Sequence, residues 1–116
     1  MQYMMLICGV EGGELPPDEQ AAMMADTEAW VKEMDGRGVR RFGDRLRHTD
    51  AATTVRVRDG ETLLSDGPFA ETKEQILGFD LIDCADLEEV LEIASKHPSA
   101  RSGTIEVRPL WPLGED

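Results

Sequence analysis

The sequence predicts a small α+β domain in which an antiparallel sheet carries two helices on one of its faces. Three observations lead to this fold class. Apolar and β-branched runs of strand length recur along the chain, two longer segments have helical spacing, and an Asp-Gly pair at residues 59–60 marks a hairpin turn. The 116 residues suit a single domain, covering residues 1–116, with one modest core.

The first half of the chain opens with a strand and a long helix. Residues 2–8 form an unbroken apolar run, which is typical of a central strand covered on both faces. A loop is predicted over residues 9–15, and Pro17 then suits the first turn of a helix that continues to about Met34. Side chains at three- and four-residue steps predict its inward stripe: Met23, Thr27, Trp30 and Met34.

The middle of the chain reads as β-structure. Residues 39–46 fit either a short strand or a loop, because a glycine and several arginines interrupt the apolar pattern. Residues 51–58 are rich in β-branched side chains and predict a strand that returns over residues 61–65. A loop over residues 66–75 and another strand over residues 76–82 follow.

The second helix has well-marked ends. Asp86 is a candidate N-cap, Glu89 completes a capping box, and Pro98 stops the helix. Its predicted inward stripe is Leu87, Val90, Leu91 and Ala94. A last strand is predicted over residues 104–107, and Trp111 is expected to pack the tail.

The element order is β-α-(β)-β-β-β-α-β, which gives two βαβ halves with a hairpin between them. This is the ferredoxin-like plan. Helices on one side of a sheet leave its other face apolar, and a second copy of the chain is the simplest cover for that face. We therefore expect a homodimer.

Charge and composition exclude several classes of function. The formal net charge is −12 and the isoelectric point about 4.5, which argues against binding of nucleic acid or anionic membranes. The N-terminal run has no basic segment before it, so we expect a cytoplasmic protein with Cys8 and Cys84 as buried free thiols. Nucleotide-binding and metalloprotease motifs are missing from the sequence, so we predict neither a cofactor nor a metal.

The most distinctive segment is the predicted loop over residues 66–75, here called the Asp66 loop. Asp66 can accept hydrogen bonds from the amides of its own turn, or it can act as an acid or base facing a ligand. Two interpretations stay open at this point: a rigid corner and a ligand-facing site. The candidate ligand-binding residues in the loop are Gly67, Pro68, Phe69, Glu71, Thr72 and Lys73.

These residues resemble a known family. Asp66-Gly67-Pro68-Phe69 is similar to the motif that names the DGPF branch of the YCII-related proteins. The segments that flank it agree with that branch, namely residues 52–60, Gly78-Phe79 and residues 105–109. The resemblance runs from Met1 to about Trp111.

The resemblance implies a ferredoxin-like α+β fold of the dimeric α+β barrel type, and two kinds of function. Some members of the wider family carry a histidine and an aspartate in a cleft, which indicates an enzyme, and a related member acts on a chlorinated aromatic ring compound. Domains of the DGPF type also occur beside sigma-70-type transcription factors, which indicates a regulatory module. The resemblance places the family's histidine in or near the first helix. The helix from Pro17 to Met34 contains no histidine, so the histidine–aspartate pair cannot be transferred to this chain.

Outside the loop, three groups have both a structural and a functional interpretation. His97 is either a charged cap at a helix end or a proton donor facing Asp66. Arg108 projects beside Glu106 from the last strand and is a candidate ligand-binding residue at a dimer pocket. Five arginines form a solvated face, a small-anion site or a nucleic-acid patch, of which the last is disfavoured by the net charge and by the lack of interleaved aromatic residues. They are Arg37, Arg40, Arg41, Arg45 and Arg47.

Overall fold

The computed structural model describes residues 1–13 and 15–116, so Glu14 of the predicted loop lies outside the described residues. The elements are β1 (Gln2–Gly9), α1 (Pro17–Gly36), β2 (Arg40–Arg45), a 3-10 turn (Thr49–Ala51), β3 (Thr53–Arg58), β4 (Glu61–Asp66), β5 (Gln75–Asp83), α2 (Leu87–Ser95), α3 (Ser99–Ser102) and β6 (Thr104–Pro109). The predicted α+β class is confirmed. The short helix α3 is an addition that the sequence pattern did not indicate.

The main sheet has the strand order β2-β5-β1-β6, and all its neighbouring strands are antiparallel. In the ferredoxin-like plan, the two strands of each βαβ half are separated by the first strand of the other half. Here β5 lies between β1 and β2, and β1 lies between β5 and β6. The ferredoxin-like plan is therefore confirmed. The segment that fitted either a strand or a loop forms the edge strand β2, which pairs with β5 from Arg40↔Ile82 to Arg45↔Gly78.

The core lies between the helices and one face of this sheet. Successive side chains of a strand point to opposite faces, so Tyr3, Met5 and Ile82 share the side that the helices cover. They meet helix residues that are equally buried: Trp30, Met34, Val90 and Ile93. The indole nitrogen of Trp30 donates a hydrogen bond to the carbonyl of Ile93 at 2.9 Å, which ties the two helices together.

The helices largely follow their predicted patterns. The capping box of α2 is confirmed, since the amide of Glu89 donates to the Asp86 carboxylate and the amide of Ala85 donates to the Glu89 carboxylate, both at 2.9 Å. The buried side of α2 is centred on Val90, Ile93 and Ala94. The prediction of Leu87 and Leu91 as inward residues is wrong, since they are 52% and 50% exposed, and Leu91 lines a groove towards β6.

The expectation for Trp111 is wrong. Its side chain is 76% exposed, and its indole nitrogen donates to the carbonyl of Glu115 in the same tail. Trp30 and Met34 already close the core, and β6 ends at Pro109, so the tail runs past the sheet edge. In the described parts of the chain, none of the helices has the length and apolar character that a membrane crossing requires.

The molecule is flat and exposes much surface for its mass. Its extents are 48 × 45 × 19 Å, and its radius of gyration of 16.5 Å exceeds the roughly 13 Å of a compact chain of this length. The solvent-accessible surface is 8419 Å². A monomer of this mass ordinarily exposes about 6,300 Å², so about 2,100 Å² is in excess.

Candidate functional site

Several chain segments meet at one end of the main sheet. Gly9 at the end of β1 pairs with Gln75 at the start of β5, and the amide of Leu46, just after β2, donates to the carbonyl of Leu77 at 2.8 Å. Residues 45–52 and the Asp66 loop therefore emerge together, and we call these two segments the loop end of the sheet.

The link between β1 and α1 also reaches the loop end. Both carboxylate oxygens of Glu11 accept hydrogen bonds from Thr49, one from the amide at 2.9 Å and one from the hydroxyl at 2.8 Å. This bidentate contact fixes the 3-10 turn against the first crossover. Residues 45–52 are therefore held both by β5, through Leu46, and by the link between β1 and α1, through Thr49.

The turn that begins the Asp66 loop is held by its neighbours. The amide of Gly67 donates to the carbonyl of Ala52 at 2.7 Å, and the Thr54 hydroxyl donates to the carbonyl of Gly67 at 2.8 Å. Gly67 has a φ of 92°, a conformation that favours glycine. Asp66 itself is exposed, and within residues 1–13 and 15–116 its carboxylate makes neither a hydrogen bond nor an ion pair.

In the rest of the loop, two side chains hydrogen-bond to the backbone and others are exposed. The Thr72 hydroxyl donates to the carbonyl of Glu74, and Nε2 of the Gln75 side chain donates to the carbonyls of Ala70 and Thr72 at 3.4 and 3.2 Å. The phenyl ring of Phe69 is 82% exposed, so it does not anchor the loop in its own subunit. Glu71 and Lys73 are exposed as well.

His97 lies in the core rather than beside the Asp66 loop. Its ring is 3% exposed, packs edge-on against Trp30 with 4.7 Å between ring centroids, and accepts a hydrogen bond at Nδ1 from the Ser99 amide at 3.0 Å. Burial lowers the pKa of His97 to about 4, so the ring is neutral at pH 7. None of these contacts reaches Asp66, and a catalytic role for His97 stays a prediction.

Arg108 also lies away from the loop end. It stands opposite Met4 on the helix-free face. Thr104, which pairs with Cys8, is the β6 residue nearest the loop end, and Arg108 lies four residues or about 13 Å further along the strand. Its guanidinium forms an ion pair with Glu106. The predicted pairing of Glu106 and Arg108 on one face is present, but the structure does not bring Arg108 to Asp66.

The five arginines divide into two groups. Arg37, Arg40 and Arg41 have carboxylate partners, with shortest distances of 2.8 Å to Glu92, 2.8 Å to Asp80 and 3.5 Å to Asp83. Arg45 and Arg47 are exposed, and neither has an ion-pair partner among the residues that the structure describes. These two belong to the loop end, so the free part of the cluster lies near the Asp66 loop.

The sequence pattern did not indicate the buried Arg40–Asp80 pair. Asp80 is 4% exposed, accepts from Arg40 Nε at 2.8 Å, and has a raised pKa because burial outweighs the attraction of the guanidinium. Its carboxylate crosses over Gly43, where an added Cβ would lie 2.0 Å from Asp80 Oδ1. The sequence did contain a signal for this buried pair, namely a charged residue within the apolar run of β5 and a glycine within the segment that forms β2.

Two shallow cavities among the described residues lie away from the Asp66 loop. One of about 330 Å³ lies between α2 and β6, against Leu91 and Ile105. The other, of about 240 Å³, lies between α1 and α3, against Trp30 and Arg101. Neither of these two cavities is lined by the loop, where the side chain of Asp66 is exposed.

One family model and one curated relative match the chain. The model of the YCII-related domain matches residues 1–114. The uncharacterized protein R00369 of Rhizobium meliloti (strain 1021) is 48% identical, with 72% of this chain and 82% of that protein covered.

Proposed function

Because the chain belongs to the YCII-related domain family, we propose that it is a small-ligand-binding homodimer of the DGPF branch. Its site forms at the Asp66 loop, between the subunits, and takes a small anionic molecule. Asp66 is the candidate acid or base of this site. A regulatory role beside a sigma-70-type factor stays a prediction of the resemblance, because no particular contact favours it.

The observation that carries the proposal is the uneven pairing of cations. Salt bridges neutralise the arginines at the far end of the sheet, whereas Arg45, Arg47 and Lys73 at the loop end have no such partner in residues 1–13 and 15–116. Free guanidinium groups bind carboxylates and phosphates in bidentate geometry. A small anion therefore suits this end of a protein whose net charge is −12.

The helix-free face of the sheet supports the proposed dimer. The register places Met4, Leu6, Phe79 and Leu81 on this face, and Phe42 lies against Phe79 with 5.7 Å between ring centroids. The excess surface of about 2,100 Å² is the amount that one partner of an obligate homodimer buries. A second copy would cover an apolar face that water otherwise contacts.

Light scattering over a dilution series tests the assembly. We expect twice the monomer mass of 12.9 kDa at micromolar concentration. Substituting Leu6→Arg places a charge in the middle of the proposed interface and should give monomer at the same concentration. A mass of one chain at every concentration would overturn the homodimer.

Thermal unfolding with small anions tests the site. Inorganic phosphate, succinate and benzoate are suitable probes, and at ten times its Kd a probe that binds should stabilise the fold by about 1.4 kcal/mol. Asp66→Asn should abolish or change the stabilisation by the probe. Without a probe it should change the free energy of unfolding by less than about 0.5 kcal/mol, because the Asp66 carboxylate makes no contact that the substitution breaks.

Two further variants test whether the stabilisation by the probe depends on the loop end or on surface charge in general. Glu88→Gln changes an exposed carboxylate at the far end of α2 and should leave the stabilisation by the probe intact. Arg47→Gln should weaken it. Equal responses of all three variants to every probe, or no response of the wild type, would remove the anion site from the Asp66 loop.

A further inference from the structure

The hairpin of β3 and β4, residues 53–66, is an arm with one apolar face. Opposite residues in an antiparallel pair share a face, and the register joins Val55 to Leu64 and Val57 to Thr62. Val55, Val57 and Leu64 are 60%, 58% and 68% exposed, although they form one continuous stripe. The opposite face is polar and carries Arg56 and Arg58.

The arm has little support from its own subunit. Its two strands form a separate two-stranded sheet, and Thr54 alone among its strand residues is even half-buried. Six residues per strand extend it about 20 Å from its base. An isolated two-stranded ribbon is marginally stable in water, so a docking surface for the apolar stripe would stabilise it.

Charge and area indicate what that surface is. The arm, residues 53–66, contains two basic and three acidic side chains, so it is almost neutral and the rest of the chain carries nearly all of the net charge of −12. An almost neutral arm can therefore approach the acidic body of a second copy with little repulsion. Burial of the arm on a second copy also accounts for part of the excess surface of about 2,100 Å².

We propose that the arm docks through Val55, Val57 and Leu64 on the body of a second copy, and that the two subunits exchange arms in this way. This proposal rests on the homodimer proposed above. Asp66 is on the same face of the arm as Leu64, at its base, because Asp66 pairs with Thr53. Asp66 is exposed in a single subunit, and the docked partner then supplies a wall beside it, so that the ligand site is complete only in the dimer.

Two adjacent leucines provide a matched test. Leu64 belongs to the apolar stripe, whereas Leu63 points to the polar face opposite Arg56, and both are exposed at 68% and 46%. Leu64→Ser should weaken the dimer at least about tenfold, because each dimer contains the change twice, and Leu63→Ser should change its Kd less than about threefold. Sedimentation over a dilution series gives both values, and circular dichroism checks that the variants fold.

Hydrogen exchange gives a second readout that does not depend on a substitution. Amides of the arm should exchange slowly in the dimer and at least about tenfold faster in the monomer, made by dilution or by Leu6→Arg. A stable dimer in which both leucine variants associate alike, or in which arm amides exchange as in the monomer, would overturn the arm docking and leave the dimer standing. A wild-type monomer at every concentration would overturn both.

Discussion

The body of the molecule and its arm use their polar groups in opposite ways. In the body, Arg37, Arg40 and Lys96 each contact carboxylates of neighbouring elements. In the arm, Arg56 and Arg58 have no such partner within the described chain, and the apolar stripe faces water. These cations of the body are thus paired within one chain, whereas the arm and the loop end carry cations without such a partner among the described residues.

The ion pairs of Arg40 in the body join neighbouring elements of the fold at one partly buried position. Arg40 bridges the end of α1, through Asp35 at 3.4 Å, to the buried Asp80 of β5, and it also donates to the carbonyl of Gly43 at 2.9 Å. Removing one side of a buried ion pair leaves an uncompensated charge, which is costly. The comparison therefore predicts large effects of small changes in the body.

The largest expected effect is that of Gly43→Ala. Its added Cβ would lie 2.0 Å from Asp80 Oδ1 and 2.6 Å from the backbone carbonyl of Phe79, so the carboxylate must leave Arg40 or the strands must separate. We expect a loss of about 3–5 kcal/mol in the free energy of unfolding. Urea unfolding measures it.

Gly36→Ala is the matched control. Gly36 ends α1, and no atom lies within 4 Å of a Cβ added there. Alanine is a better helix former than glycine, so this change should be neutral or stabilising by up to about 1 kcal/mol. Equal losses at the two glycines would show that the Asp80 contact is not the cause.

The next effect concerns pH and His97. Its pKa is lowered from 6.5 to about 4 in the fold, so between these values the unfolded chain binds more protons than the folded one. Stability is therefore lost as the pH falls from about 6.5 to 4, by an amount of about 3 kcal/mol, and this loss stops below the folded pKa.

The variant His97→Asn separates this contribution from other titrating groups. Its amide oxygen can accept the Ser99 hydrogen bond, while its poorer packing against Trp30 costs about 1–2 kcal/mol at pH 7.5. Melting curves from pH 7.5 to 4.5 should show a shallower loss of stability than in the wild type. His48→Asn removes an exposed ring and should leave the slope unchanged; equal slopes in all three proteins would contradict the assignment.

Local patterns were sufficient for most of the fold. Apolar runs, β-branched residues and the Asp-Gly turn gave β1, β3, β4 and β5, and the capping box gave the start of α2 at its correct residue. These features depend on neighbours in sequence. Residues 39–46 fitted either a strand or a loop, and β2 forms there because it pairs with β5. This pairing is a long-range contact that a local sequence pattern does not predict.

The candidate site depended on long-range placement and was less predictable. The Asp66 loop was identified, but its turn is fixed by Thr54 and Gly67 instead of the Asp66 carboxylate. The free arginines could not be distinguished from the paired ones, because Asp80 and Arg40 are 40 residues apart in sequence and meet only across the sheet. The contacts of His97 likewise follow from the packing of α2 on α1.

The smallest expected effect is that of reductant, since both cysteines are free and neither can reach the other. Cys8 is near one end of β1, whereas the amide of Cys84 donates to the carbonyl of Met1 beyond the other end, so about 23 Å of strand separates them. A disulfide requires Cα atoms within about 7 Å. Burial raises the pKa of both thiols, which lowers the reactive thiolate fraction.

The melting temperature should therefore agree within about 1 °C with and without dithiothreitol. Thiol labelling sharpens the comparison between surface and core, because Cys84 is buried under α2 whereas Cys8 lies on the helix-free face that a second copy would cover. Leu6→Arg, which is expected to open the proposed dimer, should speed the labelling of Cys8 and leave Cys84 protected. A large drop in melting temperature on reduction, in the wild type, would require a disulfide between subunits and would contradict the free thiols.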